Sequence, residues 1–166
     1  MKFHMRRSDK EIIDPAALNR ILAATEFVTL AMNDGDESYI VSLNHYHDPK
    51  AGCIYFHSAS EGKKIVILRR NPKVWGQALI NYGYREGKCS DNYASVVFKG
   101  QVEWVVEEEE KRRILTLMAE KLDKDPAKKL IVRLKSPSIN ERLKMLVVGK
   151  IVIEEMTGRK SAEVVV

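Results

Sequence analysis

The chain has 166 residues, with 28 Lys and Arg against 23 Asp and Glu and a net charge of +5. That length suits one domain large enough to bury a core without cross-links, and 45% hydrophobic with 31% charged residues argues against disorder or fibrous structure. The bases are scattered as Arg6-Arg7, Lys63-Lys64, Arg69-Arg70, Lys111 to Arg113 and Lys128-Lys129; with no basic stripe interleaved with aromatics, no nucleic-acid partner is expected.

Cys53 and Cys89 are too few for a disulfide framework, and no CxxC is present. The opening MKFHMRRSDKE lacks the apolar segment of a signal peptide, and no apolar run approaches the ~18 residues of a membrane span. The expectation is one soluble, cytoplasmic domain over residues 1–166, with no membrane partner and reduced thiols.

In chain order, Ser8 and Glu11 have the spacing of a capping box, and Asp14-Pro15 places an N-cap before a proline at the first helical position. Leu18, Ile21 and Leu22 form the stripe of a helix ending near Thr25, so residues 1–25 are expected to be helical. Phe27 to Asn33, Tyr39 to His47 and Cys53 to His57 are β-favouring runs separated by turn signals at Asp34-Gly35 and Asp48-Pro49, predicting an antiparallel meander. Ser58 and Glu61 have capping-box spacing ahead of a helix that Asn71-Pro72 stops. Val74 to Tyr84 reads as a strand and Arg85 to Asn92 as a loop.

Tyr93 to Val106 carries the clearest period of two. Ala94, Val96, Phe98, Gly100, Val102, Trp104 and Val106 share one face, and Gly100 marks a bulge or bend. Glu107 to Glu110 opens a helix whose apolar face includes Ile114, Leu115 and Met118. Asp125-Pro126 is expected to cap another helix and Ser136-Pro137 to break it. Residues 107–143 are thus a helical insertion before a last strand from Met145 to Glu155, and residues 157–166 read as a loose tail. About six antiparallel strands with peripheral helices predict a mainly β, α+β fold closed into a small barrel. An uncovered apolar face near Val96, Phe98 and Trp104 is expected to mark a subunit interface.

The richest chemistry lies in Ile54 to Ile65, IYFHSASEGKKI. A helix start offers free N–H groups and partial positive charge. Ser58 adds a hydroxyl, Gly62 allows close approach, and Lys63 and Lys64 add full charges where lysine opposes the helix dipole. That combination suits a phosphate site, with a purely structural helix start as the alternative. His57, just before it, is either a site residue or an ordinary surface histidine. His45 and His47 share a strand face without a third ligand at motif spacing, so no metal is expected. Cys89 has no evident base partner, and the Walker A, G-x-G-x-x-G and G-x-S-x-G motifs do not occur.

Five strings together, MRRSDKEI, LAMNDGDESYIVSLNHYHD, IYFHSASEGKKI, NPKV and YASVVFKGQVEWVVEEEEK, resemble the nitroimidazole-resistance (Nim) branch of the pyridoxamine 5′-phosphate oxidase-like flavoproteins. The resemblance implies an antiparallel six-stranded split β-barrel that binds FMN at the interface of a homodimer. It implies FMN phosphate at Ser58, Gly62, Lys63 and Lys64, and the flavin ring along Val41, Ser42, Leu43 and Asn44. His57, Ala59, Ser95 and Val96 would complete the cofactor site, with His57 also acting in catalysis. The implied activity is an FMN-dependent oxidoreductase passing electrons from a reduced nicotinamide to a small-molecule substrate such as a nitroimidazole-like compound. The alternatives are a pyridoxamine 5′-phosphate oxidase-like enzyme and a non-enzymatic flavin carrier, and haem or a deazaflavin are other occupants of such a groove. Ser42, where the branch usually has proline, and Trp75-Gly76, where cysteine and an aromatic are common, depart from the pattern.

Overall fold

The computed structural model describes residues 5–125 and 127–166. Its strands are β1 (Glu11–Ile12), β2 (Phe27–Asp34), β3 (Glu37–Asp48), β4 (Cys53–Ala59), β5 (Lys73–Arg85), β6 (Ser90–Val105) and β7 (Leu146–Lys160). Its helices are α1 (Pro15–Ala24), α2 (Lys63–Arg70), α3 (Glu108–Leu122), α4 (Lys129–Leu134) and α5 (Asn140–Lys144). The strands follow the order β1-β7-β4-β3-β2-β5-β6, and β6 pairs back onto β7. Six antiparallel strands therefore close into a ring, with β1 on the outer edge of β7, in agreement with the expected split barrel.

The long strands belong to two neighbours in succession. The first half of β7 pairs with β4, from Leu146 opposite Ala59 to Val152 opposite Cys53. From Val148 to Lys160 the strand also pairs with β6. The ladder slips between Lys99 and Gly100, where Glu155 and Ile153 are the successive partners and Glu154 is left over on β7. A Cβ on Gly100 would lie 2.3 Å from the Val152 carbonyl oxygen, so the bulge requires glycine there.

Alternation of side chains separates two cores. Ile54 and Phe56 of β4 face the barrel interior with Val28, Leu30, Val96 and Phe98, beneath Leu18, Ile21 and Leu22 of α1. Cys53 and Tyr55 face the opposite way, into a second cluster with Ile114, Leu115 and Met118 of α3 and Leu143 of α5. Two glycines make room inside the barrel. Gly76 stands opposite Phe98 and Gly149 opposite Phe56, each beneath the ring of its partner.

Several expectations change. Val96 and Phe98 are fully buried within one chain, so they cannot form a subunit interface, and Val106 is exposed beyond the strand end. Residues 157–160 are no tail, because they pair with both β6 and β1. The expected loop 85–92 is a tight hairpin, with β5 running to Arg85 and β6 starting at Ser90. Ser8–Lys10 forms one 3-10 turn without a side-chain cap, and Glu11 already belongs to β1, so residues 5–25 are only partly helical. Residues 1–4 and Pro126 lie outside the described residues. The helix expected at Asp125 begins instead at Lys129, after Lys128 in the left-handed region. Asp14 does cap α1 as expected, accepting from the Ala16 N–H at 2.9 Å.

Candidate functional site

The site forms where two neighbouring strands part. β3 pairs with β2 along Glu37 to Asn44 but with β4 only from His45 to Asp48. Beyond Phe56, β4 keeps β7 as its partner: His57 opposes Val148, Ser58 opposes Val147 and Ala59 opposes Leu146. One edge of β3 from residue 37 to residue 44 thus has no strand neighbour among the described residues. Its outward N–H and C=O groups are available to a ligand. Three residues past the end of β4, α2 begins beside this seam.

The start of α2 differs from the expected capping box. β4 continues through Ser58 and Ala59, so Ser58 caps nothing; it is buried in the strand, and its hydroxyl has no hydrogen-bond partner among the described residues. The N-cap is Gly62, at φ 118°, a backbone conformation that only glycine adopts without strain, with open space above its Cα. No side chain accepts from the first turn. The Lys63 and Lys64 N–H groups are therefore free, while Ile65 and Val66 both donate to the Gly62 carbonyl.

Lys63 leans across to β3. Its Nζ is 4.0 Å from Glu37 and 5.3 Å from the centre of the Tyr39 ring. Both groups are solvent-exposed, so the ion pair is weak and leaves Lys63 able to turn to a stronger anion. Lys64 makes no ion pair among the described residues. Along β3, Val41 and Leu43 pack toward the barrel core, and Ser42 and Asn44 face outward. The Ser42 and Thr29 hydroxyls are 3.0 Å apart, and Asn44 donates to the Glu26 carbonyl at 3.4 Å.

His57 shares the outer face of β4 with Tyr55. Solvent reaches it, yet the surrounding protein atoms desolvate the ring and push its pKa below the usual histidine value. Its ring makes no hydrogen bond with the described residues, and it lines a cavity of about 500 Å³ beneath α3, α4 and α5. Ser95 and Val96 are not part of this assembly within one chain. They lie on β6, where Val96 faces the core and the Ser95 hydroxyl donates to the Arg159 carbonyl at 3.4 Å.

His45 and His47 serve the fold. His45 is fully buried and donates from Nε2 to the Leu22 carbonyl at 2.8 Å, which leaves its Nδ1 without a partner. Burial first, and then the Lys121 ammonium, push its pKa down to about 4. His47 donates from Nδ1 to the Cys53 carbonyl at 3.2 Å, and its Nε2 is 2.9 Å from the Asn19 amide. Lys121, unremarked in the sequence, reaches from α3 to the carbonyls of Thr25 at 2.6 Å and His45 at 3.1 Å. Its only prior signal is a polar residue near the end of a helix. Glu37 and Tyr39 beside Lys63 were equally invisible, because only pairing of β3 with β2 brings them to the helix start.

A closed antiparallel ring with a parted seam and a basic helix start at that seam defines a split-barrel protein with a basic entrance. A family model described as pyridoxamine 5′-phosphate oxidase matches residues 14–160. The chain belongs to that family. It is similar, at 26% identity and a TM-score of 0.73, to a candidate 5-nitroimidazole antibiotic resistance protein from Bacteroides thetaiotaomicron, over 89% of this chain and 84% of that one. Two more distant structures share the fold. A flavocytochrome from Azotobacter vinelandii is 17% identical with a TM-score of 0.78, over 95% of this chain and 72% of the other. An FAD-binding protein from Mesorhizobium loti is 21% identical with a TM-score of 0.63, over 90% and 96%. No curated protein sequence matches the chain.

Proposed function

We propose that this chain binds FMN at the seam and, as a homodimer, passes electrons from a reduced nicotinamide to a small acceptor of the nitroimidazole type. The observation that carries the reading is the uncapped start of α2, with two free N–H groups and two lysines beside an unpaired strand edge, a few residues after the partnerless Ser58 hydroxyl. A phosphate monoester fits these donors. Family membership and the flavin named for the Azotobacter and Mesorhizobium structures support flavin as the molecule carrying that phosphate. One compact phosphate site favours FMN over FAD.

The flavin would supply the redox chemistry, and the chain would bind, orient and shield it. In this reading Lys63 and Lys64 neutralise the phosphate, and the β3 backbone from Val41 to Asn44 lies along the ring with Ala59 at its border. Ser95 approaches from the partner copy, whereas the Val96 side chain stays in its own barrel core. His57 would hold the acceptor by a hydrogen bond and deliver a proton to it. A second reading, oxidation of pyridoxamine 5′-phosphate, is favoured by the description of the matching family model. A steady-state assay with that substrate separates the two, and a non-enzymatic carrier would turn over neither.

Cofactor released by heat is expected to have the mass of FMN; FAD, haem or no flavin would overturn the reading. Replacing Lys63 and Lys64 together by Ala is expected to weaken FMN binding at least tenfold, because each charge-assisted contact contributes about 1.5–3 kcal/mol. Unchanged affinity in a flavin titration would place the phosphate elsewhere.

A further inference from the structure

The helical insertion encloses a cavity of about 500 Å³ outside the barrel, between α3, α4, α5 and the outer face of β4 and β7. That volume falls within the range of roughly 300–1,000 Å³ typical of small-molecule pockets. Its walls are largely apolar, including Leu115, Met118, Leu134, Ile139, Leu143 and Leu146. Four polar side chains also reach it: His57, Asp123, Arg133 and Arg142.

The two arginines set the chemistry. The other guanidiniums of the insertion are committed: Arg112 donates to Asn140 at 2.7 Å and to the Leu134 carbonyl, and Arg113 pairs with Glu110 at 2.6 Å. Arg133 and Arg142 have no carboxylate partner among the described residues. They come from different helices, α4 and α5, and both line this cavity. Asp123 opposes them, but it is tied down by accepting from the Asp125 N–H at 2.9 Å, and the lining still carries one net positive charge. His57 adds a ring without a hydrogen-bond partner among the described residues, its pKa lowered by desolvation. An apolar hollow with two free guanidiniums matches a ligand with an apolar body and one carboxylate.

α4 has six residues and α5 has five, far below the ~12–15 needed for a helix to persist alone. They are held by the apolar cluster they share with α3, and the cavity borders that cluster. A bound apolar chain would fill the gap and join the two helices through its carboxylate.

We propose that this cavity is a binding site for an amphipathic monocarboxylate, with its apolar body between α3, α5 and β7 and its carboxylate at Arg133 and Arg142. The site shares His57 with the proposed acceptor position, but its carboxylate contacts do not rest on the flavin reading, because neither arginine belongs to the seam. The test is calorimetric titration of the full-length protein with dodecanoate below its micelle threshold, with dodecanol and dodecylammonium as controls. Dodecanoate is expected to bind with one site per chain and at least tenfold more tightly than either control. The R133Q/R142Q variant, altered at two exposed positions, is expected to lose that tenfold preference while dodecanol affinity holds. K63A/K64A is expected to bind dodecanoate like the parent protein. Failure of dodecanoate to bind, equal affinity for dodecanol, or full dodecanoate affinity in R133Q/R142Q would overturn the proposal. None of these outcomes bears on whether FMN is bound.

Discussion

His45 shows how a single buried ring makes folding pH-dependent. Its Nε2 proton goes to Leu22, its Nδ1 is orphaned, and the Lys121 ammonium is 3.5 Å from Nε2. The native state therefore holds the ring neutral, with a pKa of about 4, while the unfolded chain titrates near 6.5. Below 6.5 the unfolded state binds the extra proton, so stability is fully present above that pH and declines as pH falls toward 4. Urea unfolding between pH 4 and pH 7.5 should show this decline, and the non-titrating His45→Gln should flatten it. An equal slope in both proteins would assign the effect to other groups.

His57 carries the opposite consequence for activity. A lowered pKa leaves little imidazolium at neutral pH, so a proton-donating His57 works best in mild acid. Turnover is expected to fall as pH rises, with a midpoint below 6.5. His57→Gln should remove that limb, and His57→Ala should reduce turnover by roughly 10²-fold with FMN affinity little changed. A pH profile that survives in His57→Gln would leave the residue a lining role. Gly76 and Gly149 make a purely steric prediction. A Cβ on either would lie within 2.3 Å of the facing Phe98 or Phe56 ring. Gly76→Ala should cost about 1–3 kcal/mol by overpacking, measurable by thermal melting, and Phe98→Leu should relieve part of that loss.

Among the elements, those with local causes were the legible ones. Asp14-Pro15 started α1, Asn71-Pro72 stopped α2, the acids from Glu107 opened α3, and the alternation from Ala94 to Val102 marked β6. What could not be seen came from distant partners. β4 outlasted the apparent Ser58 cap because Val147 and Leu146, nearly ninety positions away, offered it a ladder. Thr157 to Lys160 looked like tail because their partners lie on β6 and β1. Periodicity grouped Val96 with Phe98 correctly, but it does not say whether a shared face points into a ring or toward a second chain. The basic helix start was legible as chemistry, since lysines against the dipole needed a reason. The strand edge beside it was not, because an unpaired edge is a property of the whole ring.

For the whole molecule, correcting the interface leaves a different candidate. Ile40, Ala31 and Trp75 are aligned by register across β3, β2 and β5 on the outer face, and Ile40 and Trp75 are 64% and 51% exposed. Leu79 and Phe27 are also exposed on these strands. Apolar side chains aligned in this way suit the proposed homodimer. Light scattering should give twice 19.0 kDa for the parent protein and a shift toward the monomer mass for Trp75→Glu. A monomeric parent that still binds flavin would refute a shared site.

The double pairing of β7 has a consequence for how the chain is made. The ring is closed by the last of its strands in chain order: β4 and β6 both wait for residues 146–160. Until those residues leave the ribosome, the nascent chain exposes the inward faces of Phe56 and Phe98 and two unsatisfied strand edges. Such intermediates are prone to aggregate. Folding before that point is thus confined to the hairpins and helices, and barrel closure waits for β7. A chain arrested before residue 146 should remain protease-sensitive and bound by chaperones, however long it is held.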